Sequence, residues 1–470
     1  MKTSTHARTD LRSRTLISCN QSAAFFRRDK NMSLEQQEQD PSSSSSWVEE
    51  TRKGCIPSSA VAKQRNEILY EGHFYDVTNW IDRHPGGKII QFYTAPGEDA
   101  TLAVQQFHNR SLPKTLAIMR GLPRRKATPE DLANHGAATQ HSRHKALSDD
   151  FARLESELRE EGFFLPSWSH TLFRLLELIA LQVTAICCLT SASAWLQVGG
   201  ILLSALYAGR CGWWMHEGGH HSITGRPRLD RFIQSMVYGL GDGMSARWWS
   251  SQHNRHHAMP QRLHADVDLE TLPLLAFNKK VMEDRPTSNF FLRHQSKLFV
   301  LVDTFLVAIF WKVYLHPRYA WRKGAFSDLF FMSVHYCLIL PFGLVNYVVA
   351  VWLTSNYIFI NFALSHTHME VSTQSLHWVE YSLAHTTDIE PNWFVDWWMG
   401  MLNYQIEHHL FPTMPQFRHA QVRPRVEVLA RKHGLPFHSM SYWAAMRKTF
   451  SNLEKVSQQL KAAEEEEGEE

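Results

Sequence analysis

The apolar segments between residues 171 and 365 constrain this chain most, because each is roughly long enough to cross the ~30 Å hydrocarbon core of a bilayer. "TLFRLLELIALQVTAICCLTSASAW" (171–195) and "LQVGGILLSALYAGRCGWWM" (196–215) follow each other directly, and a second apolar region, 328–365, divides at Pro341 to Asn346 into two segments. Arg174 and Glu177 lie early in the first run and leave its depth open. A further stretch, "KLFVLVDTFLVAIFWKVYL" (297–315), has Arg293 and Lys297 at one end and Arg318, Arg322 and Lys323 beyond the other. Positive flanks mark the cytoplasmic side, so 297–315 is predicted to lie in or against the interface. The expected fold class is an α-helical membrane protein with four transmembrane helices in two hairpins. On that parity 216–296 and 366–470 form one cytosolic cap.

The ends of the chain differ sharply from this middle. Residues 1–46 are polar, finish in "PSSSSS", and are expected to be a disordered extension. Residues 1–28 carry Arg, Ser and Thr with Asp10 as their one acidic residue. They read either as a transit peptide, which would make a plastid the destination, or as an extension upstream of a working start at Met32; no secretory signal is expected. Residues 47–123 read as a small α+β domain, 124–164 as a charged linker and pre-membrane segment, 165–455 as the membrane domain, and 456–470 as a solvated acidic tail. The net charge of +3 over 470 residues gives no argument for a nucleic-acid partner. The six cysteines show no paired spacing, and Cys187 and Cys188 fall inside an apolar run, which favours reduced thiols.

Histidine carries the chemistry. "HEGGHH" places His216, His220 and His221 where the second apolar run ends; "SQHNRHHAMP" holds His253, His256 and His257; "NYQIEHHLFP" holds Gln405, His408 and His409. In the second and third sets the i, i+3, i+4 spacing puts the members on one helix face, and His216 and His220, at i, i+4, meet the same condition. With 27 histidines, chance would produce an H-x-x-H-H about 0.09 times, so one such match, a near-copy and a third box indicate a metal site. His216-Glu217-Gly218-Gly219-His220 alone fits a zinc protease with Glu217 as general base. One catalytic zinc takes three protein ligands, however, and these boxes supply seven or eight imidazoles, so two metals are favoured. Imidazole suits Zn, Cu, Fe or Ni. Two irons in such a cage could reduce dioxygen and attack an unactivated C–H bond. His366, His368 and His385 are further candidates as ligands or as residues orienting ligands. Asp266 and Asp268 are read as acceptors for ligand N–H groups or as helix caps, and Glu217 as a hydrogen-bond acceptor for a ligand imidazole.

Such a site needs electrons delivered singly. His84 of "RHPGGK" and His108 of "QQFHNRS" lie 24 residues apart, suited to hold haem b from opposite faces. The glycines after His84 permit a tight turn close to the porphyrin. Glu98 and Asp99 are read as a dock for a basic reductase or as a solvated face.

Residues 47–123, with "YDVTNW", the H-P-G-G at His84 and His108, resemble a cytochrome b5 domain. Residues 165–455 resemble the membrane fatty acyl desaturases, through "GRCGWWMHEGGH", "WWSSQHNRHHAMPQ", "DVDLETLPLLAFN", "SHTHMEV" and "LNYQIEHHLFPTMPQFR". The fusion, with a third box that begins at Gln405, is similar to the front-end desaturases, which place a cis double bond between an existing one and the carboxyl end. The resemblance implies a di-iron centre held by His216, His220, His253, His256, His257, His408 and His409, with His221 outside the required pair and Gln405 in a supporting or water-mediated role. It implies O2, electrons from an NADH-cytochrome b5 reductase, and a polyunsaturated acyl-CoA or acyl-lipid substrate reached from the bilayer of the endoplasmic reticulum. Desaturation at Δ6 is expected first and Δ5 next. A sphingolipid Δ8 desaturase or acyl hydroxylase keeps the same fold; an intramembrane zinc protease or a membrane-anchored haem carrier leaves most of the histidines without a role. The aromatic stretch "WFVDWWMGMLNY" (393–404) is assigned to the membrane interface or the acyl tunnel.

Overall fold

The computed structural model describes residues 65–282 and 289–469, so the N-terminal extension lies outside the described residues. A small antiparallel sheet comes first: Glu67–Tyr70 (β1), His73–Asp76 (β2) and Arg124–Lys126 (β3), in the order β1-β2-β3. Tyr70 pairs with His73, leaving the two-residue loop Glu71-Gly72 with both φ positive (46° and 68°), the turn whose twist matches that of its strands. Thr101–Phe107 (α1) and Leu112–Arg120 (α2) complete this α+β unit.

The segment expected to be a linker is structured. β3 closes the sheet, Pro129–Asn134 (α3) starts on a Thr128/Asp131 capping box, and Ala137–Glu160 (α4) follows. Leu147, Phe151, Leu154 and Leu158 form one buried stripe along α4, and Phe151 stacks on Phe411 with ring centroids 5.3 Å apart. The charged residues on its other faces mask that stripe when composition is read as an average.

Trp168–Leu189 (α5) and Ala194–Gly219 (α6) make the first hairpin. Pro227–Asp242 (α7) and Ala246–Ala258 (α8) precede the 33-residue helical run Phe290–Arg322 (α9). Phe326–Ile339 (α10) and Leu344–His366 (α11) form the second hairpin. Short helices Trp378–Ala384 (α12), Trp393–Trp398 (α13) and Gln405–Leu410 (α14) then lead to His419–Lys432 (α15) and Tyr442–Glu469 (α16). Helix α16 runs on into the acidic end, and its Val456, Ser457 and Leu460 are buried, so packing extends past residue 455.

The set of membrane-compatible helices differs from the expected four. Among the described residues, three helices are long and apolar enough to cross: α5, α9 and α11; the apolar segment Phe326–Phe342 is shorter. The stretch 297–315, assigned to the interface from its charged flanks, is the middle of α9, because the helix continues through the basic residues at both ends. Its Lys312 is buried, with Nζ donating to the Asp242 carboxylate and main-chain carbonyl at 2.5 Å. Helix α6 has the length but carries Arg210, which is also buried and donates to Glu177 at 2.8 Å. That pairing answers the open question of Arg174 and Glu177: Arg174 is buried and lies 3.4 Å from Glu177, and the Trp397 indole N–H reaches the same carboxylate at 2.7 Å. A buried charge left unpaired is costly, so this cluster ties α5, α6 and α13 together. The outer face of α5, with Leu172, Phe173, Leu176, Ile179 and Val183, stays exposed as a bilayer-facing helix requires. Cys187, Cys188, Cys211 and Cys337 are free thiols.

Helices α6 and α11 pack against each other at Gly209, where an added Cβ would come within 2.1 Å of the Tyr357 ring. Gly209→Ala is expected to destabilise the protein by ~1–3 kcal/mol through overpacking. Gly199→Ala, where a Cβ meets nothing within 4 Å, is the matched control. Thermal unfolding in detergent checks this, and equal melting temperatures for the two variants would refute the close contact.

Candidate metal centre and haem site

Three helices carry the boxes, and each is pinned from outside. The first box ends α6 in the rigid α5–α6 hairpin. The second box rides on α8, whose N-cap Ser245 accepts from the Trp248 N–H at 3.2 Å. Ser245 is itself held by Asp328 of α10, which accepts its hydroxyl at 2.6 Å, and by His316 of α9, whose Nδ1 accepts its N–H at 2.8 Å. The third box rides on α14, where the buried Asp388 accepts the Ile406 N–H at 3.0 Å.

These supports bring eight imidazoles into two adjoining groups: His216, His220, His253, His257 and His408, and then His256, His366 and His409. His257 and His409 join the groups, their rings stacked 4.2 Å apart. The ring nitrogens converge: His253 Nε2 lies 3.0 Å from both His220 Nε2 and His257 Nε2. Facing lone pairs at that distance repel unless a proton or a cation is shared between them. His216 Nε2, and both ring nitrogens of His408 and of His409, are buried without a hydrogen-bond partner among the described residues. A cluster of inward imidazole nitrogens fits metal ions and little else. Burial first, then neighbouring imidazoles, holds His253, His257, His408 and His409 well below the usual histidine pKa, in the neutral form that ligates metal. Burial also opposes charge on His256, but Asp266 and Asp268 outweigh it and raise its pKa to about 9.

The outer contacts explain the orientations. The His256 Nδ1–H donates to both Asp266 oxygens, at 2.9 and 3.0 Å, which leaves Nε2 facing inward. Asp266 also accepts from the Asp268 and Gln261 N–H groups, so it acts as acceptor and cap at once. Asp268 Oδ2 stands 3.3 Å from His256. Gln405 sends its amide N–H to the Leu402 carbonyl and turns Oε1 towards His366 Nε2 at 3.3 Å. Glu217 departs from expectation. Its carboxylate accepts the Gln416 N–H at 3.3 Å, not an imidazole, and the Gln416 side chain lies 2.8 Å from His216 Nδ1. The carboxylate therefore acts on the box through Gln416. His221, His368 and His385 do not join either group. His221 has left the helix with φ 58°, and the His385 Nδ1–H donates to the Glu370 carbonyl at 2.7 Å.

Gln416, Trp249 and Asp388 act here without having been singled out from sequence. Trp249 stacks on His253 with centroids 4.2 Å apart, and a Cβ on Gly219 would meet that indole at 2.4 Å. The glycines of "HEGGH" thus make room for α7 and α8. The signals were there: an amide in "FPTMPQF" shortly after the third box, and an aromatic four residues before His253.

In the smaller unit His84 and His108 face each other, ring centroids 6.0 Å apart. The Gly87 carbonyl can only accept, so the His84 Nδ1–H donates to it at 3.1 Å and Nε2 keeps its lone pair for an iron. Gly87 has φ 75°, and a Cβ on Gly86 would press to 2.9 Å from the His84 ring. Burial lowers the pKa of both histidines, that of His108 to about 4. Opposed neutral imidazoles fit a six-coordinate haem. Glu98, read as a surface dock, is buried and bonded within the chain to the Ser375 hydroxyl at 2.6 Å, while Asp99 accepts the Thr101 N–H at 2.8 Å.

Comparison with known proteins agrees with both sites. Residues 193–441, more than half of the chain, match the family described as fatty acid desaturase, and residues 59–125 match the cytochrome b5-like heme/steroid binding domain. The chain belongs to the fatty acid desaturase family. It is 44% identical over 407 residues to an acyl-lipid (8-3)-desaturase of Rebecca salina, covering 84% of this chain and 92% of that protein. An acyl-lipid (8-3)-desaturase of Thraustochytrium sp. is 40% identical, covering 87% and 96%. Fatty acid desaturase 3 of Bos taurus is 28% identical, covering 83% and 89%. The chain is thus an O2-dependent oxidoreductase with a di-iron site and a haem-binding cytochrome b5-like domain.

Asp266→Asn is expected to lower iron affinity 10–100-fold by weakening the acceptor that orients His256. Iron bound per haem in purified protein checks it; unchanged iron content would show that His256 is positioned without Asp266. Gly86→Val should displace the His84 ring and reduce haem occupancy, read as the Soret absorbance per chain, with non-haem iron content unchanged.

Proposed function

We propose that this protein is a membrane front-end desaturase that places a cis double bond in a polyunsaturated acyl chain, three carbons towards the carboxyl end from a bond at carbon 8. The observation that carries the reading is the convergence of eight histidines into two adjoining groups in a chain that also carries an opposed histidine pair for haem. The position follows the printed (8-3) in the names of the relatives at 44% and 40% identity; counting three from 8 gives Δ5. The Δ6 position, expected first from the family resemblance, corresponds to the (9-3) name of a 30% identical relative from Physcomitrium patens and stands second.

In this reading His216, His220, His253, His257 and His408 hold one iron, and His256, His366 and His409 the other. When bound, the iron pair reduces dioxygen at the expense of an acyl C–H pair, with single electrons relayed by the haem between His84 and His108. The protein's part is orientation and exclusion of water. A metal on His216 Nε2 leaves the proton on Nδ1, so Gln416 then presents Oε1 to accept it, and Glu217 holds Gln416 through its N–H. Gln405, where a ligand would otherwise stand, keeps Oε1 beside His366 Nε2, and a metal on that nitrogen would leave the ring proton on Nδ1, which faces the His385 carbonyl. The zinc-protease reading asks Glu217 to face a substrate, whereas its carboxylate is buried against the Gln416 backbone. The reading places the protein in the endoplasmic reticulum membrane, with the cage on the cytosolic side, an acyl-lipid as substrate and an NADH-cytochrome b5 reductase as electron donor.

Expression in yeast fed separately with eicosa-8,11,14-trienoic, eicosa-11,14-dienoic, linoleic and α-linolenic acids tests it by locating new double bonds. A Δ5 product from the eicosatrienoic acid is expected; a Δ6 product from the C18 acids would overturn the position, as would one at Δ8. No new fatty acid from intact, iron-loaded protein would sink the desaturase reading. His408→Ala should abolish product with the haem spectrum unchanged, and His84→Ala should abolish product with iron retained.

A further inference from the structure

We infer that the haem domain is docked on the iron cage by contacts that land directly after the second and third boxes, and does not swing away from it. The inference deepens the proposed function and rests on it for the direction of electron flow.

Two polar contacts define the dock. Tyr93, buried in the haem domain, donates its hydroxyl to the carbonyl of Ala258 at 2.9 Å, and Ala258 directly follows His257. Arg110, two residues beyond His108, donates through one guanidinium nitrogen to the carbonyls of Thr413 at 2.9 Å and Phe164 at 2.7 Å, and Thr413 lies four residues beyond His409. Each contact therefore starts in the haem-binding segment and ends beside a box. Both land on main-chain carbonyls, which local repacking cannot easily move. A hydrogen bond from a charged donor is stronger than one from a neutral donor, so Arg110 is the stronger of the two.

Three further contacts surround this pair. Phe107, adjacent to His108, sets its ring edge to face against Trp378 at 5.7 Å. Trp378 begins α12, whose Val379 and Leu383 share one buried core with Ile406 and Leu410 of the third-box helix. Arg255, between the second-box histidines, lies over the Phe92 ring at 5.8 Å. Glu98 is buried between Ser375 and Arg262, the latter at 3.4 Å. A domain meant to swing away would expose this core and strand Glu98, a buried carboxylate, without its partners. The same hydrophobic cluster runs without a break from Ile68 and Tyr93 to Phe411 and Val426.

A fixed dock makes electron transfer a first-order event within one chain. The test uses the full chain in detergent. Hydrogen exchange at 89–95, 106–112 and 411–416 is read on haem-loaded protein free of non-haem iron and without substrate. Re-oxidation of haem pre-reduced by one electron with dithionite, which passes that electron to the iron pair, is read on the doubly loaded protein. In Tyr93→Phe/Arg110→Gln we expect exchange in those segments to rise at least tenfold and re-oxidation to slow at least tenfold, with the haem spectrum and midpoint potential unchanged. Tyr93→Phe alone, which keeps the ring and is the milder change, should give about a threefold effect in both. Lys126→Gln, on the exposed β3 strand, should change neither. Unchanged exchange and re-oxidation in the double variant, or a wild-type re-oxidation rate that rises with protein concentration, would overturn the dock. Because exchange is read without iron or substrate, protection in a chain that makes no new fatty acid would uphold the dock and count against the proposed reaction only.

Discussion

Eight imidazoles buried against one another are the constraint on which the rest of this structure depends. Each turns a ring nitrogen inward, and burial opposes protonation, an effect that Asp266 and Asp268 outweigh on His256. Neutrality comes from burial, and direction comes from what holds the outer ring nitrogen. Asp266 does this for His256, Gln416 lies against His216, and Trp249 fixes the ring plane of His253. The helices that carry the boxes are then held by ordinary structural contacts: Asp328 and His316 on Ser245, and Asp388 on the start of α14.

That arrangement explains why polar residues are buried so deeply between apolar helices. Arg174, Glu177, Arg210 and Trp397 join the first hairpin to α13, and Lys312 with Asp242 joins α9 to the end of α7. Breaking a buried pair by removing one partner leaves an uncompensated charge, so these pairs fix the relative positions of their helices more firmly than apolar packing would. The cage inherits that rigidity, since α6 ends in the first box and α8 begins four residues after Asp242.

The haem unit follows the same logic at a smaller scale. The Gly87 carbonyl sets the His84 tautomer as Asp266 sets that of His256, and absent side chains at Gly86 and Gly219 let a ring lie against backbone. Glu98 shows how an acidic surface residue in one reading becomes an internal contact in another, once a second segment covers it.

The sequence by itself determined the chemistry. The i, i+3, i+4 spacing of the second and third boxes, the H-P-G-G turn and the opposed His84 and His108 were all local patterns, and local patterns survive in one dimension. Apolar runs of bilayer length were equally legible for α5 and α11. Only the tertiary structure decided which histidines meet. His366 joins the cage while His221, His368 and His385 stay outside it, because a ring's direction depends on where its helix ends and what packs beside it. The structured 124–164 segment and the extent of α9 were hidden for a related reason. Their buried stripes and paired charges are satisfied by residues far away in sequence, such as Phe411 for Phe151 and Asp242 for Lys312. Composition averages over faces, whereas a fold reads each face separately.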